Sequence, residues 1–311
     1  MAVHHSVYKP FRPYSDLHGK YTPVYLIAVG GMSEIWACLN HKTGDLVAVK
    51  RLLPHSMLEL TAKKSGVWEE HALRQLKHPN VLHFIEQGID DGRLCFVTEL
   101  IAGMNFEHYL NRRTLTIERF FELAIQMLVG TKAIHEAGLV HGDLKPENMM
   151  ITQGESGALI LKILDFGTAT LLNPGEGESI QPPSPEDLLI TPEYVAPELL
   201  TGSAPSPSSD LYALGMSFYQ CLAGKPCFES SDPQQILRMQ IEEKPRDLRE
   251  NREELPAYLC NWIMKFIEKD PARRPRSAAV AHLELTTMQR QHPMVKKMTR
   301  RTGTRRIAIP A

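Results

Sequence analysis

No stretch of this chain approaches the ~18 consecutive apolar residues that a membrane-spanning helix needs. The first twenty residues carry histidines, prolines and charges but no apolar h-region, so no signal peptide is expected there. Paired cysteine motifs are missing as well. Cys38, Cys95, Cys221, Cys227 and Cys260 are odd in number and scattered, with no C-x-x-C among them. Neither a zinc site nor a disulfide framework follows, and reduced thiols in a cytoplasmic protein are the expectation. Net charge is nearly absent, at −1, so no global field selects nucleic acid or a membrane surface, and neither is expected as a partner. Two local absences are sharper. Residues 165–198 contain seven acids and no Lys or Arg, while the tail after Pro293 contains Lys296, Lys297, Arg300, Arg301, Arg305 and Arg306 and no acid.

What is present is enough apolar content for a sizeable core. The chain has 311 residues, 43% of them hydrophobic, which suits one large core or two modest ones. Strand-like alternation runs through Tyr21–Arg51, a helical stretch lies around 58–77, and strands are expected near 81–87 and 94–100. From about Phe106 the pattern turns helical. Over Ile117–Ala137, Phe120, Leu123, Ala124, Met127, Leu128, Thr131 and Ile134 fall at helical spacing. Asp210 can be read as an N-cap of a further helix.

The chemistry concentrates in Leu139-Val-His-Gly-Asp-Leu-Lys-Pro-Glu-Asn148. An acid, a base and an amide share one short loop. Asp143 can accept a proton from an attacking hydroxyl, Lys145 can neutralise a transferring phosphoryl group, and Asn148 can ligate magnesium. Downstream stand Ile163-Leu-Asp-Phe-Gly167 and Ala196-Pro-Glu198, and upstream Val47-Ala-Val-Lys50. In that order and at that spacing these motifs resemble the protein kinase superfamily over about residues 21–285. The run Lys145-Pro-Glu-Asn148 and Thr191-Pro-Glu-Tyr194 are similar to the serine/threonine class. The loop departs from H-R-D-L-x-x-x-N at one fixed position, where Gly142 stands in place of Arg. The Gly30-Gly-Met stretch is similar to that of bacterial-type members.

The resemblance implies a two-lobed α+β fold. A β-rich N-lobe with one helix and the hinge would span 21–103 and a helical C-lobe 104–290. They would be flanked by an extension over 1–20 and a basic tail over 291–311. It implies MgATP as cofactor and a protein hydroxyl as substrate. Asp143 and Lys145 would be catalytic, and Asn148 and Asp165 would hold metal. Nucleotide would contact Ala28, Gly30, Ile35, Ala48, Lys50, Thr98, Glu99, Ile101 and Met150, with Glu69 pairing Lys50 (Glu70 is its neighbouring alternative). Glu99 to Gly103 would form the hinge, with Thr98 as gatekeeper. The glycine-rich loop keeps Gly30 but has Ala28 and Ser33 where two other glycines are usual. Thr191 would bond Asp143 and Lys145, Asp210 would bond the backbone of His141–Gly142, and Arg274 would pair with Glu198. Phe84, Leu73, His141 and Phe166 would pack as a spine, which makes His141 structural.

Gly142 cannot grip a phosphate, so activity is expected without activation-segment phosphorylation. The acidic segment and Glu147 favour basic residues around the target hydroxyl, moderated by Asn105 where a second acid is frequent. Thr302 and Thr304, set among arginines, would then be autophosphorylation sites or part of a substrate-like segment; a solvated tail is the plainer alternative. A nucleotide-binding pseudokinase scaffold is the alternative function. Ala28, Ser33 and Gly142 are its support, and the presence of Lys50, Asp143 and Asp165 opposes it.

Overall fold

A computed structural model describes residues 17–30, 33–53, 74, 76–112, 114–154, 157–166, 168–172 and 191–291. Glu69, Glu70, Leu73, most of the expected 58–77 helix, Gly31, Met32, Gly167, Ser179, Ser184 and the basic tail lie outside these residues.

The N-lobe is a five-stranded sheet of β1 (Tyr21–Val29), β2 (Ser33–Asn40), β3 (Leu46–Leu52), β4 (Phe84–Asp90) and β5 (Arg93–Glu99), in the order β1-β2-β3-β5-β4. Every neighbouring pair is antiparallel. The alternation of β3 explains its two faces. Val47 and Val49 join Leu17, Tyr21, Cys38, Cys95 and Val97 in a small core, which puts Ala48 and Lys50 on the opposite face. Asp91-Gly92 turns β4 into β5 with positive φ at both positions, 53° and 70°, the geometry of a tight hairpin.

The strand expected from 81 begins at Phe84 instead. Residues 80–82 bond the C-lobe: Val81 bridges Ile163, Leu82 N–H donates to the Ile163 carbonyl at 2.8 Å, and Ile163 N–H donates to the Asn80 carbonyl at 2.9 Å. A propensity argument sees an apolar run here but not which sheet claims it.

The C-lobe contains α1 (Phe106–Leu110), α2 (Ile117–Glu136), α3 (Pro197–Leu200), α4 (Pro207–Ala223), α5 (Pro233–Glu242), α6 (Leu248–Asn251), α7 (Ala257–Phe266) and α8 (Ala278–Gln291). Short strands β6 (Met104–Asn105), β8 (Met149–Gln153) and β9 (Leu159–Ile163) form one small sheet, and β7 (Leu139–Val140) pairs with β10 (Thr170–Leu171). Helix α2 starts where Thr116 accepts the Arg119 N–H at 3.2 Å, which satisfies one of the orphan donors of its first turn. All seven residues of the expected apolar stripe are buried. The large core runs through both lobes, since Leu76, Val81 and Phe84 belong to it together with the buried faces of α2, α4 and α7.

Asp210 is not an N-cap. Ser206 caps α4 in a reciprocal box with Ser209, and Pro207 fills the first helical position. Those two cues, Ser before Pro, start the helix earlier than an acid-based reading does. Asp210 is thereby freed for another role. At the hinge, Gly103 lies so close to β8 that a Cβ would fall 2.5 Å from the Ile151 carbonyl oxygen; only glycine fits there.

Candidate active site

The loop 141–148 is fixed from below by Asp210, which is 1% exposed. Its carboxylate accepts the His141 N–H at 2.8 Å and the Gly142 N–H at 2.9 Å, as the resemblance implied. His135 Nε2 lies 2.9 Å from the same carboxylate. A buried carboxylate needs such donors, because unpaired it would be costly. His141 is structural as expected. Its Nε2 lies 2.8 Å from the Leu164 carbonyl, its Nδ1 lies 3.3 Å from the Asp143 N–H, and its ring packs on Phe166 at 5.0 Å. A neutral imidazole with its proton on Nε2 satisfies both contacts.

Above this base the functional groups converge. Asp143 Oδ2 accepts from Asn148 Nδ2 at 2.6 Å and from Lys145 Nζ at 2.8 Å. Asn148 Nδ2 also donates to the Asp143 carbonyl at 2.9 Å. With its nitrogen spent on Asp143, the Asn148 amide keeps its oxygen for other partners. Lys145 donates to Thr191 Oγ1 as well. Thr191 therefore meets Asp143 through Lys145, which stands between the two. Leu164 N–H donates to the Asn148 carbonyl at 2.8 Å, which ties the segment carrying Asp165 to the loop carrying Asn148.

Lys50 reaches across from the N-lobe. Its Nζ lies 2.8 and 2.9 Å from the two Asp165 oxygens. The expected partner Glu69 lies outside the described residues. Asp165 sits at φ +54°, a region non-glycine residues seldom occupy and one that accompanies functional sites. Asp165 and Asn148 together offer a carboxylate and an amide oxygen, hard donors of the kind magnesium accepts beside substrate phosphates.

Several residues expected on the nucleotide side are cross-strand neighbours. Ala28 pairs with Ile35, Ile35 with Lys50, and Ala48 with Thr98. Gly30 turns the chain with its N–H on the Ser33 carbonyl at 2.8 Å, and a Cβ at Gly30 would meet that oxygen no closer than 3.7 Å. The Glu99 carboxylate accepts Lys162 Nζ at 2.7 Å and the His83 N–H at 2.8 Å. Thr152 Oγ1 donates to the Ala102 carbonyl at 2.6 Å; the chain through Ile101 is thus tied to β8, where Met150 pairs with Asn105 and Lys162. Lys162 and His135 were not legible as site supports. Lys162 stands just before Asp165-Phe166, and that adjacency was its one signal.

Gly142 adopts φ +79°, and a Cβ there would lie 2.9 Å from the Thr168 carbonyl. The start of the activation segment lies directly on the catalytic loop. Thr168 Oγ1 donates to the His141 carbonyl at 3.1 Å, Thr170 pairs with Val140, and Leu172 N–H donates to the Gly138 carbonyl at 2.8 Å. Gly142→Ala should therefore destabilise the fold by about 1–2 kcal/mol, the cost of a left-handed conformation for an L residue. Denaturant unfolding reads this directly, and an Ala variant as stable as wild type would be incompatible with the close contact.

Glu147 stands in the loop beside Asn148. Its Oε2 is buried without a hydrogen-bond partner. Burial first, and the Glu107 carboxylate, raise its pKa. Asn105, at the position weighed for a second acid, instead caps α1 and donates to the Glu147 carbonyl at 2.7 Å. Arg274 closes the lower boundary of the site, donating to both Glu198 oxygens at 2.6 and 2.7 Å.

Residues 21–285 match the family model for the protein kinase domain. The chain belongs to the protein kinase family. It is 31% identical over 266 residues to the serine/threonine-protein kinase pkn2 of Myxococcus xanthus, covering 84% of this chain and 31% of pkn2. It is 30% identical over 291 residues to pkn3 of the same organism, covering 91% of this chain and 52% of pkn3. The chain thus spans about a third to a half of the length of these two curated relatives. The crystal structure of the Mycobacterium tuberculosis PknI kinase domain shares the fold, with a TM-score of 0.69 at 20% identity, over 92% of this chain and 99% of that one. The matched residues include Lys50 and Asp165, which meet from separate elements, and the loop that carries Asp143. Among the described residues, no helix is long and apolar enough to cross a membrane.

Proposed function

We propose that this chain is a serine/threonine protein kinase that transfers the γ-phosphoryl group of ATP to a protein hydroxyl. The observation that carries the reading is the meeting of Lys145 with both Asp143 and Thr191, beside Lys50 on Asp165. Asp143 accepts the proton of the attacking hydroxyl as its oxygen bonds phosphorus, and the bond to the ADP oxygen breaks. Lys145 neutralises charge on the group in transfer. Lys50 and the Gly30 backbone hold phosphates, and Ala28, Ile35, Ala48, Thr98, Glu99, Ile101 and Met150 surround the base. Asn148 and Asp165 would hold magnesium, which supplies charge neutralisation at the β- and γ-oxygens. Catalysis is then positioning plus electrostatics. The lobes divide at residues 103 and 104.

Two finer features belong to the same reading. The substrate is basic around its hydroxyl, because residues 165–198 carry seven acids and no Lys or Arg, and opposite charge favours such a partner. Activity is independent of activation-segment phosphorylation, because that segment's start is anchored by backbone pairing and Gly142 offers no cation for a phosphate. A variant with Thr168, Thr170, Ser179 and Ser184 all changed to Ala should keep most of its activity on a basic peptide. A loss above about tenfold, some 1.4 kcal/mol of barrier, would mean that another basic residue does the gripping.

A further inference from the structure

We infer that Gln240 is a positioning residue for the substrate side of this site, holding the turn Pro192–Tyr194 in the place where Thr191 meets Lys145. The inference rests on the kinase reading above. Gln240 lies on α5 and is 0% exposed. Its Nε2 donates to the Pro192 carbonyl at 2.9 Å, and its Oε1 accepts the Tyr212 hydroxyl. Its own carbonyl accepts Lys269 Nζ at 2.6 Å. A buried amide is expensive unless both ends are partnered, and here both are. The end that matters for the site is the nitrogen.

The neighbourhood makes Gln240 rigid. Lys269 Nζ also donates to the Met239 carbonyl at 3.3 Å and sits 4.7 Å from the Phe228 ring centroid. It closes the C-terminal end of α5, where a cation suits the free carbonyls. The Tyr212 ring, whose hydroxyl bonds Gln240, stacks under the Arg274 guanidinium at 4.7 Å. Gln240 therefore links the Arg274–Glu198 brace to the turn that faces the catalytic loop.

The turn needs such a tie. Pro192 has no N–H to donate, so its carbonyl is the backbone group available for fixing it. Tyr194 supplies a second pin through its hydroxyl on Gln220. Thr191 stands directly before Pro192 and accepts from Lys145, which also meets Asp143. The turn that Gln240 fixes therefore follows directly on the Thr191 that Lys145 links to Asp143. The residues assigned to nucleotide lie on β1, β2, β3, β5, β8 and the hinge, and none of them bonds Gln240, Pro192 or Tyr212.

The test compares Gln240→Glu, Gln240→Asn and Tyr212→Phe in the full chain with MgATP and a basic serine peptide. Gln240→Glu keeps an acceptor for Tyr212 and, in its ionised form, loses the donor to Pro192. Gln240→Asn keeps the amide but is one methylene too short, and it decides the matter if the Glu variant does not fold. Tyr212→Phe removes the hydroxyl contact while leaving Gln240 Nε2 free to bond Pro192. We expect peptide kcat/KM to fall about tenfold in folded Gln240 variants, with ATP affinity within twofold of wild type. Tyr212→Phe should retain at least half of the wild-type value. Peptide kcat/KM within twofold of wild type in the Gln240 variants overturns the inference. So does an equal loss in ATP affinity, or an equal loss in Tyr212→Phe, since either would mean general loosening. A wild-type chain that binds MgATP but transfers no phosphate would sink the kinase reading itself, and this inference with it.

Discussion

Asp143→Asn should lower the rate of phosphoryl transfer by roughly 10²- to 10⁴-fold, the range for removal of a positioned general base. Nucleotide affinity should stay within about twofold. The substitution is nearly isosteric, and Asp143 bonds Asn148 and Lys145 without lying among the residues assigned to adenine. Lys50→Met should also inactivate, but through the phosphates and Asp165, so that nucleotide binding changes along with rate. Steady-state kinetics and a direct binding measurement separate the two variants. If Asp143→Asn turns over at a wild-type rate, the site has been placed wrongly.

Glu198→Ala should destabilise the protein by about 3–5 kcal/mol, the range for stripping one partner from a buried ion pair. The Arg274 guanidinium is fully buried, with side-chain exposure of 0%, and Glu198 is at 13%. Its other bonds go to the carbonyls of Glu268 at 2.8 Å, Ser208 at 3.0 Å and Lys269 at 3.2 Å. Those oxygens cannot neutralise the charge left behind. Against a typical total stability of about 5–15 kcal/mol such a loss is large, and it should lower Tm by on the order of 10 °C. The double variant Glu198→Leu with Arg274→Met should recover part of the loss, because neither charge is then buried alone. A single-variant cost below about 1 kcal/mol would show that the pair is solvated and does not brace the segment.

Much of the site was legible because its chemistry is local. Asp143, Lys145 and Asn148 lie within one loop, where spacing fixes geometry. The strands and α2 were legible through period, since Val47 with Val49 and the stripe Phe120 to Ile134 each expose one face to a core. Asp210 and Arg274 were reachable through family resemblance, and both make the expected bonds. What could not be read were the pairings over long separation with no period or motif behind them. Glu99 with Lys162, Asn80 with Gln126 at 2.8 Å, and Gln240 with Pro192 are of this kind. The start of β4 slipped for the same reason. Val81 is apolar in either sheet, and only tertiary pairing with Ile163 decides between them. Ser206 takes the cap from Asp210 because its box with Ser209, and Pro207 after it, start the helix a turn earlier.

The central claim is that Lys50, Asp143, Lys145, Asn148 and Asp165 form one phosphoryl-transfer site. The most direct measurement incubates purified, phosphatase-treated protein with γ-labelled ATP, magnesium and a basic peptide containing serine and threonine, followed by phosphoamino-acid analysis. The account predicts label on serine or threonine, dependent on magnesium and lost in Asp143→Asn. Saturable binding of MgATP with no label transferred to any hydroxyl would contradict it and leave a nucleotide-binding scaffold.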